Sequence, residues 1–343
     1  MALLSDGEGP ALYTTRFSLM GGRAVVRFVD CRGRAAAEAL ARAVENEALR
    51  VEVKFSRFRE TSVVSAINRD AGRTPVAVDD ETDFLVGAAL DLWRESGGRF
   101  DPTVGVLRKA WDFKAQRVPS PGEVAALLPL VSGAAVSRRD GTVFLRKPGM
   151  EIDLGGVGKE YAVDRAADVL REGGVSSAIV EFAGDVRTVG SRGDGRPWRV
   201  GIAHPRREGK IVFALNLRGD AGIATSGDYE RGFVKDGVRY HHILDATTGW
   251  PARGVASATA VARTAFDAGR FTTLAMLLGP DAGFDLLDRT PGVEGALITD
   301  TGEVRATTGL ARLASLPAAA YPVLKRLRRR DRSPDPTPDL ASA

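Results

Sequence analysis

The stretch over residues 143–179 reads VFLRKPGMEIDLGGVGKEYAVDRAADVLREGGVSSAI, and its reading decides the fold class. Residues 143–154 are strand-like, and Gly155, Gly156 and Gly158 punctuate the segment after them. Residues 161–172 carry apolar side chains at helical spacing and stop at Gly173-Gly174; residues 175–179 read as a strand again. Toward the C-terminus, residues 198–203 and 211–217 are strands with no helix between them, 264–278 is a helix ended by Gly279-Pro280, and 293–298 with 303–306 make a last hairpin. Toward the N-terminus, residues 13–29 alternate as a strand or hairpin broken at Met20-Gly21-Gly22. Two long amphipathic helices come next, over 35–58 and 79–95, the second capped by Asp79. A polar loop over 115–123 leads into a short helix from Gly122. Strands and helices cluster instead of alternating as βαβ units, so the expected class is α+β and not doubly wound α/β.

The chain has 343 residues, 44% hydrophobic and 27% charged, enough to bury a large core. A single cysteine, Cys31, excludes an internal disulfide and any CxxC motif. Only three histidines occur, His204, His241 and His242, which argues against a metal site built on several imidazoles. Chemistry must rest on carboxylates, hydroxyls and backbone. The formal charge is +4, but residues 325–332 alone carry six bases and one acid, leaving the rest at about −1. No basic face for nucleic acid is implied; the basic run suits at most an anionic lipid or acidic partner. The expected organisation is a flexible segment over 1–12, one domain over 13–320, and a basic then Pro-rich disordered tail over 321–343. The opening MALLSDGEGP lacks the apolar core of a signal peptide and no window approaches a membrane span, so a cytoplasmic protein is expected.

Six segments concentrate glycine with Asp, Ser, Thr or His: 96–105, 153–159, 183–185, 224–229, 241–249, and the helix containing Thr272-Thr273. Gly155-Gly156-Val157-Gly158-Lys159 before a helix is compatible with phosphate: glycines admit an anion to the backbone, and a helix N-terminus and Lys159 favour its charge. It is neither a Walker A loop nor GxGxxG. Asp185 in Ala183-Gly184-Asp185 fits an ordinary turn, and Thr225-Ser226-Gly227-Asp228 fits a helix cap. His242 and Asp245 set a base and a carboxylate three residues apart.

Singly these motifs are weak, but their order is specific. Met20-Gly21, Ser62-x-x-Ser65-x-Ile67-Asn68, Phe100-Asp101-Pro102-Thr103-Val104-Gly105, Asp153-Leu154-Gly155-Gly156, Thr225-Ser226-Gly227-Asp228-Tyr229 and His242-Ile243-Leu244-Asp245 with Thr248-Gly249 together resemble the ApbE family of FAD:protein FMN transferases, from about Met20 to Leu310. The resemblance implies an α+β, T-fold-related, two-lobed fold with an FAD cleft between the lobes. It implies transfer of the FMN phosphoryl group from FAD to a Thr or Ser hydroxyl of an acceptor flavoprotein, with magnesium as cofactor and AMP released. By matching position, Met20, Phe58 (usually Tyr), Arg99, Phe100, Asp101, Asp153, Lys159 and Leu244 would contact FAD. Gly156, through its carbonyl, and Thr273 would hold the metal. His242 would assist deprotonation of the accepting hydroxyl, with Asp245 beside it as the second catalytic residue.

One departure stands out. The family pattern places an aspartate four residues before the metal-binding position, on the same helical face; here Gly269 stands there. Asp267 is no substitute, because six residues before Thr273 amounts to about 600°, roughly 120° around the helix. Asp185 and Asp245 remain open as alternative carboxylates. Glu160 and Ala183 stand where glycine is usual, Ala246 where proline is usual. The loss of the aspartate keeps two further readings in view, a catalytically weakened flavin-binding paralogue and an FAD pyrophosphatase. It also leads to the expectation that Gly269→Asp raises magnesium affinity.

Overall fold

The computed structural model describes residues 4–5, 12–30 and 32–315; the expected tail over 321–343, Cys31 and most of segment 1–12 lie outside the described residues. Among these, nine strands form one sheet whose spatial order follows the chain: Leu4–Ser5, Leu12–Leu19, Gly22–Val29, Ala178–Phe182, Asp185–Val189, Ala221–Gly227, Val255–Ala262, Glu294–Thr299 and Val304–Ala306. Every neighbouring pair is antiparallel. The helices are insertions between consecutive strands of a meander, which is the α+β class read from the sequence.

Eight α-helices are described: α1 (Arg34–Phe55), α2 (Val63–Arg69), α3 (Asp80–Glu95), α4 (Pro121–Leu127), α5 (Gly158–Glu172), α6 (Ala265–Leu278), α7 (Pro280–Arg289) and α8 (Thr308–Leu313). On α1 the buried residues Ala37, Leu40, Ala41, Val44, Ala48, Val51 and Phe55 recur at three and four, one apolar stripe laid against the sheet. Alternation along strands divides two cores. Val180 faces the helices with Val26 and Phe28, while Ile179 faces the other way, toward Trp198, Phe213 and Leu215 of a small three-stranded sheet. Covered on both faces, Val255–Ala262 is buried along its whole length.

Between α1 and α5 the chain builds a smaller body from α2, α3, α4 and a sheet ordered Val76–Ala77, Thr142–Leu145, Val136–Arg139. Leu85, Val86 and Leu92 of α3 join the main core, whereas Leu107, Trp111 and Leu244 form a separate aromatic-rich cluster. Several local expectations are corrected. The strand expected over 143–154 ends at Leu145, because Pro148 brings no N–H and Gly149 takes φ +82°. Val175 belongs to the C-terminal turn of α5, its N–H donating to Leu170 O, so the next strand begins at Ala178. Thr225–Gly227 closes a strand and caps no helix. The first long helix ends at Phe55, which leaves Phe58 on a turn, 72% exposed.

Candidate active site

Several chain reversals meet at one end of the large sheet: the turns at Met20-Gly21 and Ala183-Gly184, the start of strand Asp185–Val189 and the end of strand Ala221–Gly227. The N-terminus of α5 abuts this end, where Lys159 Nζ lies 2.7 Å from Asp185 Oδ2. Just before it, the Asp153 carboxylate accepts the Gly155 N–H at 2.9 Å and faces Arg57 Nε at 3.2 Å, fixing the glycine turn. Gly156 is required there, because a Cβ would come within 2.8 Å of the Phe100 ring. The Phe58 ring carries the Arg57 and Arg108 guanidinium groups 4.7 and 4.8 Å from its centroid, an exposed aromatic flanked by cations.

α5 and α6 run antiparallel in a defined register. Asp164 accepts the backbone N–H groups of Ala265 and Phe266 at 3.0 and 2.8 Å, closing the free N-terminus of α6. One turn earlier on α5 is Glu160, and one turn later on α6 is Gly269. The two meet: a Cβ on Gly269 would lie 2.5 Å from Glu160 Cγ. Glu160 is buried, and its Oε2 has no hydrogen-bond partner. Burial, then the like charge of Asp185, holds its pKa well above the ordinary carboxyl range, with Lys159 opposing. Burial works against the Lys159 ammonium, but Asp185 and Glu160 more than offset it and keep it charged. On α6, the Thr272 hydroxyl is engaged by Ser226 Oγ at 2.9 Å and Gly269 O at 3.1 Å, while Thr273 is partly exposed with no side-chain bond among the described residues. Asp267 is turned back to the N-cap, where Thr264 Oγ1 donates to it at 2.7 Å, away from Thr273 as expected.

His242 lies on the loop after strand Val238–His241, its backbone N–H donating to Arg231 O. Water reaches the imidazole, yet the surrounding protein mass, then the positive charge of Arg231, lower its pKa to about 4, so it is neutral at neutral pH. Asp245 has both oxygens engaged elsewhere: Oδ1 by Thr247 N–H and Oγ1 at 2.9 and 2.6 Å, Oδ2 by Arg99 Nη1 at 2.8 Å. No hydrogen bond among the described residues joins it to His242. Asp245 therefore positions Arg99 and the loop. Asp101 is likewise consumed, holding Thr103 and the Gly133 N–H. Leu244 packs in the cluster with Trp111. Met20, at φ +50°, donates its N–H to Glu52 at 2.8 Å at the sheet end. Two surface depressions, one against Arg138 and Arg146, the other against Asp285 and Arg289, share no residue with this site.

The ApbE family sequence pattern matches residues 20–297. The chain belongs to the ApbE family. It is 35% identical over 278 residues to the FAD:protein FMN transferase of Treponema pallidum, covering 76% of each chain, and 33% identical to one from Klebsiella pneumoniae, covering 78% of this chain and 84% of that one. Its structure is similar to the ApbE protein of Thermotoga maritima (TM-score 0.81, 33% identity, 89% of this chain and all of that one). It is also similar to the flavin transferase ApbE of Vibrio cholerae, with TM-score 0.79, 28% identity, and 88% and 99% covered.

The glycine turn, Phe100 and Lys159 lie together at the N-terminus of α5, while the Asp101 and Asp245 carboxylates are engaged by Thr103, Gly133, Thr247 and Arg99. Sequence reading registered Glu160 only as a departure. Its signal was present: Glu160 is in phase with Val163, Ala167 and Leu170 on the buried stripe of α5, where a carboxylate is out of place unless something meets it. No group of three His, Cys, Asp or Glu residues suited to a metal occurs among the described residues. The oxygen donors at hand and the unpartnered Glu160 oxygen nevertheless suit a hard cation shared with a diphosphate.

Proposed function

We propose that this chain is a magnesium-dependent FAD:protein FMN transferase that moves the FMN phosphoryl group of FAD onto a Thr or Ser hydroxyl of an acceptor flavoprotein and releases AMP. The observation that carries the reading is the assembly of a phosphate-compatible helix N-terminus, a neutral histidine and an exposed cation-flanked aromatic ring in a chain of the ApbE family. The diphosphate meets the N-terminus of α5, where Lys159 adds a cation; the Gly155, Val157 and Gly158 N–H groups are held by Asp153 and Leu154 and shape the turn. Phe58 offers its ring face to a flavin or adenine ring. Phe100 lies against Gly156, whose carbonyl with Thr273 would hold magnesium. Magnesium, when bound, neutralises diphosphate charge and so favours departure of AMP.

His242 takes the proton of the accepting hydroxyl as its oxygen attacks the FMN phosphorus. A new ester O–P bond forms there, the P–O bond to the AMP half breaks, and AMP leaves with the bridging oxygen. The imidazole is in its base form at neutral pH, as this step requires. A chain with one cysteine suits the reducing cytoplasm, where we place the reaction. Among the described residues no helix is long and apolar enough to cross a membrane. The test is incubation with FAD, Mg2+ and an acceptor bearing a Thr/Ser flavinylation motif. In-gel flavin fluorescence of the acceptor with stoichiometric AMP is expected. AMP without labelled acceptor would mark a pyrophosphatase, and bound FAD with neither product a carrier; either contradicts the transferase reading.

A further inference from the structure

Three carboxylates open as cation ligands, Asp185, Asp245 and Glu160, are not equivalent. Asp185, 1% exposed, has Lys159 Nζ 2.7 Å from its Oδ2 as an ion-pair partner, although that oxygen, like Oε2 of Glu160, makes no hydrogen bond. Asp245 is matched by Arg99 and by both Thr247 donors. Glu160 has no cation of its own and an oxygen with no partner, although the residue is only 8% exposed. A buried acceptor left unpaired opposes folding, and a side chain kept in that condition points to a ligand that completes it.

Its position says which ligand. A Cβ added to Gly269 would lie 2.5, 2.9 and 3.0 Å from Cγ, Cδ and Oε1 of Glu160. The Glu160 carboxyl therefore fills the space into which any side chain at position 269 would grow. Asp164 holds this register by capping α6 one turn away, so the juxtaposition belongs to the helix pair and not to a loose side chain. We propose that Glu160 supplies the carboxylate ligand of the divalent cation, delivered from α5 into the volume that Gly269 leaves open on α6. The two unusual residues are then one device: a large acidic residue on one helix requires a residue without a side chain on the other. This inference rests on the transferase reading, which brings a cation and a diphosphate to this end of the sheet.

It also reverses the expectation for Gly269→Asp. That substitution adds no ligand to an empty space; it drives a second side chain into Glu160. The test uses the purified full-length protein and Mn2+ alone as probe, titrated by the EPR signal of free Mn2+, with thermal melts as a check on folding. Glu160→Gln, nearly isosteric, is expected to weaken Mn2+ binding on the order of a hundredfold, as loss of a ligand should exceed the ten- to hundredfold typical of outer-shell partners. The exchange Glu160→Gly with Gly269→Asp returns the carboxylate from the other helix and is expected to recover most of the affinity. A folded Glu160→Gln that binds Mn2+ like the wild type overturns the assignment, as does wild-type protein that binds none. Should transfer proceed while Glu160→Gln leaves Mn2+ affinity unchanged, this assignment fails and the transferase reading stands. Should Glu160→Gln lose Mn2+ in a protein that never labels an acceptor, the transferase reading fails and the assignment stands.

Discussion

α5 carries two kinds of carboxylate environment within one turn. Glu160 faces α6 with an unmatched oxygen. The next residue, Tyr161, donates its hydroxyl at 2.7 Å to Glu81 of α3, which also meets Arg50 at 2.6 Å and Lys54 at 2.5 Å. Arg50 in turn holds Glu47, and Arg165, one turn further along α5, holds Glu47 at 3.0 Å. In this second cluster cations alternate with carboxylates. Burial pushes Glu81 up, yet Arg50, Lys54 and Tyr161 together bring its pKa down to about 2, whereas burial and Asp185 push Glu160 the other way. The lesson is that a satisfied network ties helices together, while an incomplete one next to a phosphate-compatible helix end is kept for a ligand.

The largest effect should separate chemistry from scaffold on the site side. His242→Ala should lower acceptor flavinylation by about 10²- to 10⁴-fold, the usual contribution of a general base, with FAD affinity nearly unchanged. In the wild type, the rate should fall only as pH drops toward about 4, because the neutral imidazole persists down to that value. An acid limb at an unperturbed histidine value would contradict the environment described for His242.

Next in size is the helix contact. Gly269→Asp alone should destabilise by about 1–3 kcal/mol, the usual range for overpacking, read as a shift of the urea midpoint at constant slope. The same change in a Glu160→Gly background should show little of this loss. Equal losses in both backgrounds would break the pairing of positions 160 and 269.

Smaller effects test the contrast in sign. Glu81→Gln should destabilise by about 1 kcal/mol at neutral pH through its weakened charged hydrogen bonds. Because Glu81 is lowered from 4.5 to about 2 on folding, its contribution is present above the unfolded value and lost as pH falls through the folded one. Wild type and variant should therefore converge near pH 2. Glu160→Met should do the opposite in metal-free protein, leaving stability unchanged or raised, since a buried carboxyl with an unpartnered oxygen gives way to an apolar side chain. A raised carboxyl pKa favours folding below the unfolded value and loses that benefit as pH rises, so any gain from Met should grow with pH. A loss matching that of Glu81→Gln would erase the distinction between the clusters.

Sequence reading recovered the elements whose pattern is local. The hairpin at Met20-Gly21, the Asp79 cap, both strands 198–203 and 211–217, and the helix after Thr264 all have periodicity or cap chemistry in their own residues. It overran at 143–154, where apolar content persists but Pro148 removes a donor that pairing needs. The candidate site was legible as an ordered series of motifs, and its roles were not. Asp101 and Asp245 carry the right chemistry but spend it on Thr103, Gly133, Thr247 and Arg99, which only three-dimensional hydrogen bonding reveals. The Glu160–Gly269 pair spans more than a hundred residues. Each half reads alone as a blemish, a charge on a buried stripe and a glycine in a helix; the α5–α6 register gives them a common meaning.

Anomalous diffraction from crystals of the full-length protein soaked with Mn2+ tests that meaning most directly. A peak within bonding distance of a Glu160 carboxylate oxygen, about 2.1 Å as for magnesium, between α5 and α6 is the expected result. A peak bonded to Asp185 or Asp245 while Glu160 stays unbound would contradict it.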